Sequence, residues 1–247
     1  MKILVSNDDG YLAQGVNVLA KRLQEKHQVT IFAPLENKSA SSSSLTIDKP
    51  LKPEKISESI YTINGTPTDS THFALCGYFD EEFDLVMAGI NLGPNLGDDV
   101  IYSGTVAAAI EGRFVGLPSI AISLASWDGK NFDSAAKVAE LIVDNVEFSE
   151  LSINTVLNIN VPDIPYDQIK GFKTTRLGKR HKSENIVQDE NDASLYWIGE
   201  NGKEAENGQG TDFYAIKNNY VSITPLKIDL TNNTEIEKVE NWISKIN

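Results

Sequence analysis

Apolar runs rich in β-branched residues alternate with amphipathic stretches over most of the first 165 residues. The runs predict strands covered on both faces, and apolar residues at helical spacing predict the helices between them. Strands are predicted at residues 2–5, 28–33, 60–63, 84–90, 119–124 and 155–161, and helices at 15–24, 70–76, 106–115 and 132–145. This alternation predicts an α/β fold, a three-layer α/β/α sandwich with a Rossmann-like, mostly parallel sheet.

The pattern changes after about residue 171, where polar segments of β-forming residues are separated by charged stretches that contain glycine. Segments 172–177, 194–198 and 221–225 predict protruding β-hairpins, which often form oligomer contacts, and residues 235–246 predict a closing helix. We therefore expect a single domain over residues 1–247. Residues 1–165 would form the α/β core with the active site, and residues 166–247 an extension that joins a homodimer or homotetramer.

Composition narrows the class of protein. The 247 residues carry a formal net charge of −13, so a broad basic surface for a nucleic-acid polymer is not expected. The single cysteine, Cys76, excludes an intrachain disulfide and fits a reducing compartment. No long apolar stretch predicts a membrane span, and no signal segment precedes the first predicted strand. We expect a cytoplasmic protein with neither a membrane nor a nucleic-acid partner.

Two neighbouring aspartates, Asp8 and Asp9, come directly after the first predicted strand and directly before Gly10. Loops at the carboxyl ends of parallel strands open into the crevice where ligands bind. Two adjacent carboxylates repel each other unless positive charge lies beside them, and a hard cation such as Mg²⁺ or Mn²⁺ prefers oxygen ligands. The same residues also suit an ordinary turn, so the pair predicts a cation site only together with the rest of the chain.

A second candidate segment, residues 89–109, follows the predicted central strand. Gly89, Gly93 and Gly97 recur at every fourth position, with Asn91 and Asn95 between them. Glycine lets the backbone approach a ligand closely, and asparagine offers both a carbonyl ligand and an amide donor. A loop of this composition at a strand end favours ligand binding over a plain mobile connection.

The loop leads through Ser103, Gly104 and Thr105 into an alanine-rich helix. The unpaired N–H groups and the macrodipole at a helix start suit a phosphate, and the alternative is an ordinary Ser/Thr cap. The serine-rich loop at residues 37–45 follows the second predicted strand, so it is either a flexible connection or a source of a hydroxyl group for the same crevice.

Five segments, in this order along the chain, resemble the SurE family of survival-protein phosphatases, which remove phosphate from nucleoside monophosphates. The similarity is densest over residues 1 to about 125. The segments are Asn-Asp-Asp-Gly at residues 7–10, Ser39 in the serine-rich loop, Gly-Thr-Pro-Thr-Asp at 65–69, Gly-Ile-Asn-Leu-Gly-Pro-Asn-Leu-Gly at 89–97 and Tyr-Ser-Gly-Thr-Val at 102–106.

The resemblance implies one divalent metal cation per subunit, Mg²⁺ or Mn²⁺, with a phosphate subsite beside it. The implied cation ligands are Asp8, Asp9, Ser39 and Asn91. The implied phosphate-binding residues are Asn95, Ser103, Gly104 and Thr105. The implied catalytic residues are Asp8, Asp9 and Asn95. In one departure from the family pattern, Ala40 follows Ser39 where we expect glycine.

The predicted function is hydrolysis of nucleoside 5′- and 3′-monophosphates, and of short polyphosphate, by a metal-dependent phosphatase. We favour attack by water because both aspartates are wanted as cation ligands, and direct attack by a carboxylate stays open. The alternative from a different class is a nucleotide-binding sensor without turnover. A haloacid-dehalogenase-type phosphatase is excluded, since its signature needs an aspartate two positions after the first and this chain has Gly10 there.

The basic cluster at residues 176–182, which includes His181, is the remaining feature without an assigned role. It is either a solvated hairpin tip or a surface that steers an anionic substrate towards an acidic protein. The sequence leaves both interpretations open.

Overall fold

A mostly parallel, nine-stranded sheet runs through the described residues, which are 1–199 and 201–246 of the computed structural model. The strands of the chain are β1 (Lys2–Ser6), β2 (Gln28–Pro34), β3 (Pro53–Ser57), β4 (Ile60–Ile63), β5 (Leu85–Leu92), β6 (Ser119–Leu124), β7 (Thr155–Val161), β8 (Phe172–Thr174), β9 (Lys179–Arg180), β10 (Val187–Gln188), β11 (Tyr196–Trp197), β12 (Glu204–Glu206) and β13 (Val221–Lys227). The α-helices are α1 (Gln14–Leu23), α2 (Pro67–Phe73), α3 (Gly104–Phe114), α4 (Phe132–Asn145), α5 (Asp212–Lys217) and α6 (Ile236–Ile243).

The order of strands in the sheet is β3-β4-β2-β1-β5-β6-β7-β13-β8. The strands from β4 to β7 are all parallel, while β3 and β13 run antiparallel to β4 and β7. The chain first builds the sheet outwards from β1 through β2 to β4, and then returns to place β5 on the other side of β1. This reversal creates a topological switch point between β1 and β5, the place where open α/β sheets bind ligands.

Helices cover both faces of the sheet. On one face, α1 and α4 bury residues such as Leu19 and Ala135 against the strands. On the other face, α3 packs its small side chains, including Ala108, against Ala88 of β5 and Ala121 of β6. The prediction of a three-layer α/β/α fold is confirmed.

Local signals explain where α2 begins. Thr66 and Asp69 form a capping box, in which each side chain accepts a hydrogen bond from the other residue's backbone, and Pro67 occupies the first turn. The predicted helix at residues 70–76 extends too far, because α2 ends at Phe73 and a π-helical turn follows over Ala74–Tyr78.

The prediction of protruding hairpins is wrong for two of the three segments. Residues 172–174 and 221–227 form β8 and β13, which extend the central sheet beyond β7. The hydroxyl of Thr175 lies 2.7 Å from those of Ser222 and Thr224, and all three residues are buried. Their polar pattern predicts exposure to solvent, but burial is possible because the hydroxyls form hydrogen bonds with each other. Segment 194–198 does contain a hairpin strand, since β11 pairs with β10 in a separate two-stranded sheet.

The closing helix is confirmed as α6, although its apolar residues remain exposed in the single chain. Among the helices of the described residues, none has both the length and the apolar character needed to cross a membrane. The cytoplasmic location stays a prediction.

Candidate active site

Three loops meet at the carboxyl ends of β1, β2 and β5. The backbone oxygen of Asp8 accepts a hydrogen bond of 2.6 Å from the N–H of Lys38, in the loop after β2. The carboxylate of Asp9 lies 3.5 Å from Nδ2 of Asn37 and accepts a bond of 3.2 Å from the N–H of Leu92, at the end of β5. The two aspartates therefore hold the loops of both neighbouring strands at the switch point.

Asp8 also contacts the first turn of α3. The hydroxyl of Thr105 donates a short hydrogen bond to Oδ1 of Asp8. Gly104 packs so closely that a Cβ at this position would lie 2.7 Å from Cβ of Asp8 and 3.0 Å from its Oδ2. The structure thus brings the predicted cation ligand Asp8 into direct contact with two of the predicted phosphate-binding residues.

The two carboxylates occupy an electrostatically unfavourable position. Burial raises the pKa of Asp8, although hydrogen bonds from Thr105 and Gly104 act in the opposite direction. Burial and then the negative charge of Asp8 raise the pKa of Asp9 to about 6. Since no basic side chain among the described residues forms an ion pair with either carboxylate, a bound cation would offset this repulsion.

Two serines of the serine-rich loop lie near the aspartates in different surroundings. Ser39 is exposed, and its N–H donates to Asn37, whose side chain faces Asp9. The hydroxyl of Ser41, which the sequence did not single out, lies 3.0 Å from the position of a Cβ at Gly104, and its oxygen is buried with no hydrogen-bond partner in the described residues. The five serines of this loop could not be assigned separate roles from sequence.

The serine-rich loop is itself anchored to the segment that precedes α3. The N–H and hydroxyl of Ser42 donate to the backbone oxygens of Tyr102 and Ile101. Ala40 and Ser42 have φ angles of 59° and 53°, in the left-handed region that favours glycine. A glycine after Ser39 would adopt this φ without strain, and this chain adopts it with alanine.

The two predicted asparagines have different surroundings. Nδ2 of Asn91 donates to the backbone oxygen of Gly93 at 2.8 Å, which leaves the side-chain carbonyl oxygen to act as a ligand. Nδ2 of Asn95 donates to the hydroxyl of Ser123 at 2.7 Å. In the described residues neither asparagine is hydrogen-bonded to Asp8 or Asp9, but Asn91 directly precedes Leu92, whose N–H donates to Asp9.

A buried polar layer holds Asn95 in place. Its N–H donates to Oδ1 of Asn160, and its backbone oxygen accepts from the amides of Asn158 and Asn160, each at 2.9 Å. These two asparagines of β7 were missed by sequence reasoning. Their signal is the presence of amide side chains in an otherwise buried apolar strand, where each needs a partner.

Ser103 is the N-cap of α3. Its hydroxyl oxygen accepts a hydrogen bond of 3.0 Å from the N–H of Val106. The cap interpretation of the sequence is therefore confirmed for this residue. The hydroxyl keeps its own proton, so it can still donate to an anion at the start of the helix.

Two residues from the C-terminal part of the chain hold the 3₁₀ helix Gly97–Tyr102, which leads into α3. The buried carboxylate of Asp212 accepts the N–H groups of Gly97 and Gly178 at 2.7 and 2.8 Å. Arg180 forms an ion pair of 2.7 Å with Asp99. Arg180, a member of the basic cluster, therefore stabilises the fold of this loop. Asp212 was not among the predicted site residues, although the segment at residues 210–212 also resembles the SurE family.

Among the described residues, no three His, Cys, Asp or Glu side chains form a group that could hold a metal ion. A cation at the switch point would therefore depend on two carboxylates with neutral hydroxyl and amide oxygens. This all-oxygen donor set fits Mg²⁺ or Mn²⁺, which commonly keep several waters. The buried hydroxyl of Ser41, near Gly104, is a further oxygen without a hydrogen-bond partner in the part of the chain that the structure describes.

Comparison with known proteins agrees with these features. The chain matches the Survival protein SurE family over residues 3–184. It is 63% identical over 246 residues to a protein named 5′-nucleotidase SurE from Vesicomyosocius okutanii subsp. Calyptogena okutanii (strain HA), with 100% of this chain and 99% of that protein covered. A protein of the same name from Ruthia magnifica subsp. Calyptogena magnifica is 61% identical over 246 residues, with 100% of each chain covered.

A solved structure supports the same relationship. The crystal structure of the SurE protein from Aquifex aeolicus superposes with a TM-score of 0.87 at 40% sequence identity, covering 98% of this chain and 99% of that one. The shared fold, the family match and the full-length identity to its members lead to one conclusion. The chain belongs to the SurE family.

Proposed function

We propose that this chain is a metal-dependent 5′-nucleotidase, which hydrolyses nucleoside monophosphates to nucleoside and phosphate. The observation that carries the proposal is the contact between the Asp8 carboxylate and Thr105 in the first turn of α3. It puts a cation ligand and a helix start suited to phosphate at the same point. The relatives named 5′-nucleotidase SurE, at 63% and 61% identity, support the same activity.

The residues that would hold the cation are Asp8, Asp9, Asn91 and a hydroxyl of the serine-rich loop, with Ser39 as the family ligand. When bound, the cation would polarise the phosphate and lower the pKa of a water molecule. The all-oxygen donor set of this crevice supports a hard cation.

The chain's own groups bind and orient the phosphate. The backbone N–H groups of Gly104 and Thr105 and the hydroxyl proton of Ser103 would donate to the phosphoryl oxygens as negative charge develops. Asp9 would orient the attacking water, because the Leu92 N–H fixes one of its oxygens and Asp9 is the less buried of the two aspartates. Quenching the wild-type chain during turnover should trap no phosphoenzyme, and an acyl phosphate on Asp8 or Asp9 would instead establish carboxylate attack.

We extend the proposal to nucleoside 3′-monophosphates and short polyphosphate. The groups named so far would all contact the cation or the phosphate, so they do not distinguish one phosphate ester from another. A single divalent cation per subunit, Mg²⁺ or Mn²⁺, would serve all of these substrates.

Phosphate release tests the proposed activity. Nucleoside 5′- and 3′-monophosphates and short polyphosphate are incubated with Mn²⁺, Mg²⁺ or EDTA. Metal-dependent release that Asp8→Asn reduces by a factor of about 10² or more, and that Asp80→Asn retains, is the expected result. Asp80 is a matched control because it is exposed and precedes β5, at the opposite ends of the strands. Nucleotide binding without release would instead identify a sensor.

We further propose a homodimer or homotetramer. Exposed apolar side chains support it, and they lie on the β10–β11 hairpin and on α6. They include Ile186, Val187, Tyr196, Trp197, Ile198, Val239, Trp242 and Ile243. Such surfaces usually mark protein contacts. Light scattering should give a multiple of the 27.1 kDa chain mass, and a lone species of that mass would contradict the proposal.

A further inference from the structure

An exposed indole lies beside the crevice, on the loop between β6 and α4. Trp127 is 72% exposed, which is unusual for a residue type that is mostly buried. Its ring packs on the backbone of Gly93, because a Cβ at that glycine would lie 2.5 Å from Cζ3 of the indole. The loop after β5 therefore supports part of the ring while most of the side chain remains open.

Gly93 connects Trp127 to the proposed cation ligands. The backbone oxygen of Gly93 accepts the hydrogen bond from Nδ2 of Asn91, and the N–H of the preceding Leu92 donates to Asp9. With about 3.8 Å between successive Cα atoms, the contacts through Leu92 and Gly93 hold the ring within about 10 Å of the Asp9 carboxylate. A nucleoside monophosphate with its phosphate at the switch point can span a distance of this order.

The loop that carries the indole is held in place by hydrogen bonds. The hydroxyl of Ser126 donates to Asp128 at 2.9 Å, directly across Trp127 in the sequence. Farther along, Oδ1 of Asp163 accepts the N–H of Asn131 at 2.8 Å and its side-chain amide at 2.9 Å. A ring fixed by such contacts loses little freedom when a ligand stacks on it.

We propose that Trp127 stacks on the nucleobase of the substrate and so forms the nucleoside subsite of this enzyme. The inference rests on the proposed nucleotidase function and adds to it the group that contacts the base. Every nucleobase has a π face, so an indole binds all of them, and stacking strength varies with the base. Purines, with their larger ring systems, should therefore be preferred to pyrimidines.

The other two tryptophans of the sequence do not compete for this role. Trp197 belongs to the β10–β11 hairpin and Trp242 to α6, and both lie on the surfaces assigned above to oligomer contacts. Trp127 is the tryptophan that packs against the loop of the cation ligands.

Steady-state kinetics with two substrates tests the assignment. AMP carries a base, and ribose 5-phosphate presents the same phosphate ester without one. Trp127→Ala should raise the KM for AMP about tenfold, with kcat for AMP and kcat/KM for ribose 5-phosphate within about twofold of wild type. Trp127→Phe should restore most of the affinity for AMP. Phe114→Ala, which removes an exposed aromatic ring at the far end of α3, should change neither substrate.

An unchanged KM for AMP in Trp127→Ala would overturn the proposal. An equal loss for both substrates would also overturn it, because the ring would then support the phosphate site. If the wild-type chain releases phosphate from neither substrate, the nucleotidase proposal fails. The proposal for Trp127 is then tested by AMP binding instead of by kinetics. In a Trp197→Phe/Trp242→Phe background, AMP should quench the remaining indole fluorescence more than ribose 5-phosphate does, and equal or absent quenching would overturn the stacking.

Discussion

The two carboxylate oxygens of Asp8 have different surroundings. Oδ1 accepts the Thr105 hydroxyl, while Oδ2 faces Gly104 near the hydroxyl of Ser41. A carboxylate held in this way cannot rotate without breaking a buried hydrogen bond, so Thr105 fixes the direction in which Asp8 presents its second oxygen.

Replacing the Thr105 hydroxyl tests this coupling. Thr105→Val keeps the shape of the side chain but leaves Oδ1 of Asp8 without that donor, so we expect kcat/KM for AMP to fall about 10- to 100-fold. The free energy of unfolding should fall by about 1–3 kcal/mol, since a buried acceptor loses its partner. Thr105→Ser is the control, because it retains the hydroxyl and should retain most of the activity. Full activity in Thr105→Val would contradict the role.

The hydroxyls of Ser39 and Ser41 should bind different ligands. Ser39 is exposed next to the Asn37–Asp9 contact, so Ser39→Ala should weaken Mn²⁺ binding about tenfold or more. Ser41 lies against Gly104, so Ser41→Ala should raise the KM for AMP several-fold at saturating Mn²⁺ and change Mn²⁺ affinity little. Titrations of each variant with Mn²⁺ and AMP measure both effects, and the reverse pattern would place Ser41 among the cation ligands.

At the scale of elements, the loop after β5 is held from a distant part of the chain. Asp212 at the start of α5 and Gly97 are separated by 115 residues, yet the carboxylate accepts the glycine N–H at 2.7 Å. Arg180 of β9 holds the same 3₁₀ segment through Asp99. The C-terminal extension thereby holds the segment that leads into α3, where the proposed phosphate-binding groups lie.

Asp212→Asn tests this clamp. One carboxylate oxygen becomes an amide that cannot accept an N–H, so at least one of the bonds to Gly97 and Gly178 is lost. We expect a loss of about 2 kcal/mol in the free energy of unfolding and a several-fold rise in the KM for AMP, with a smaller change in kcat. Chemical denaturation and kinetics at saturating cation measure these effects. A stability loss without any change in KM would limit Asp212 to a structural role.

A different electrostatic contact joins α4 to the turn that follows α1. Glu140 of α4 lies 2.7 Å from Lys137 and 2.9 Å from Lys26, and these lysines lower its pKa to about 2. A carboxyl whose pKa is lowered by folding stabilises the native state above its unfolded pKa of about 4.3 and loses that contribution as the pH falls towards 2.

Glu140→Gln should therefore destabilise the protein by about 1 kcal/mol near pH 7. The difference from wild type should shrink between about pH 4.3 and pH 2, as Glu140 becomes protonated in the wild-type protein. Urea unfolding of both proteins across this range measures the difference. A gap that stays constant down to pH 2 would show that the ion pairs do not set the pKa.

The whole molecule shows which features local sequence can predict. The six parallel core strands and the Asp8–Asp9 turn follow from apolar runs and turn residues that are adjacent in sequence. The places of β13 and β8 could not be predicted in this way, because their buried hydroxyls satisfy one another only after the strands meet. The contacts of Trp127 with Gly93 and of Asp212 with Gly97 likewise join distant segments.

The strand order brings the proposed cation-binding and phosphate-binding residues to the same edge of the sheet. Because β1 and β5 lie side by side at the switch point, Asp8 contacts the start of α3 while the neighbouring Asp9 contacts the end of β5. If a cation and a phosphate share this crevice, each should strengthen the binding of the other by an equal factor.

Calorimetric titration with Mn²⁺, in the presence and absence of inorganic phosphate, measures this coupling most directly. Saturating phosphate should tighten Mn²⁺ binding about fivefold or more in the wild-type chain, and Asp8→Asn should remove the effect. The same Mn²⁺ affinity with and without phosphate would contradict the account, because the two ligands would then occupy independent sites.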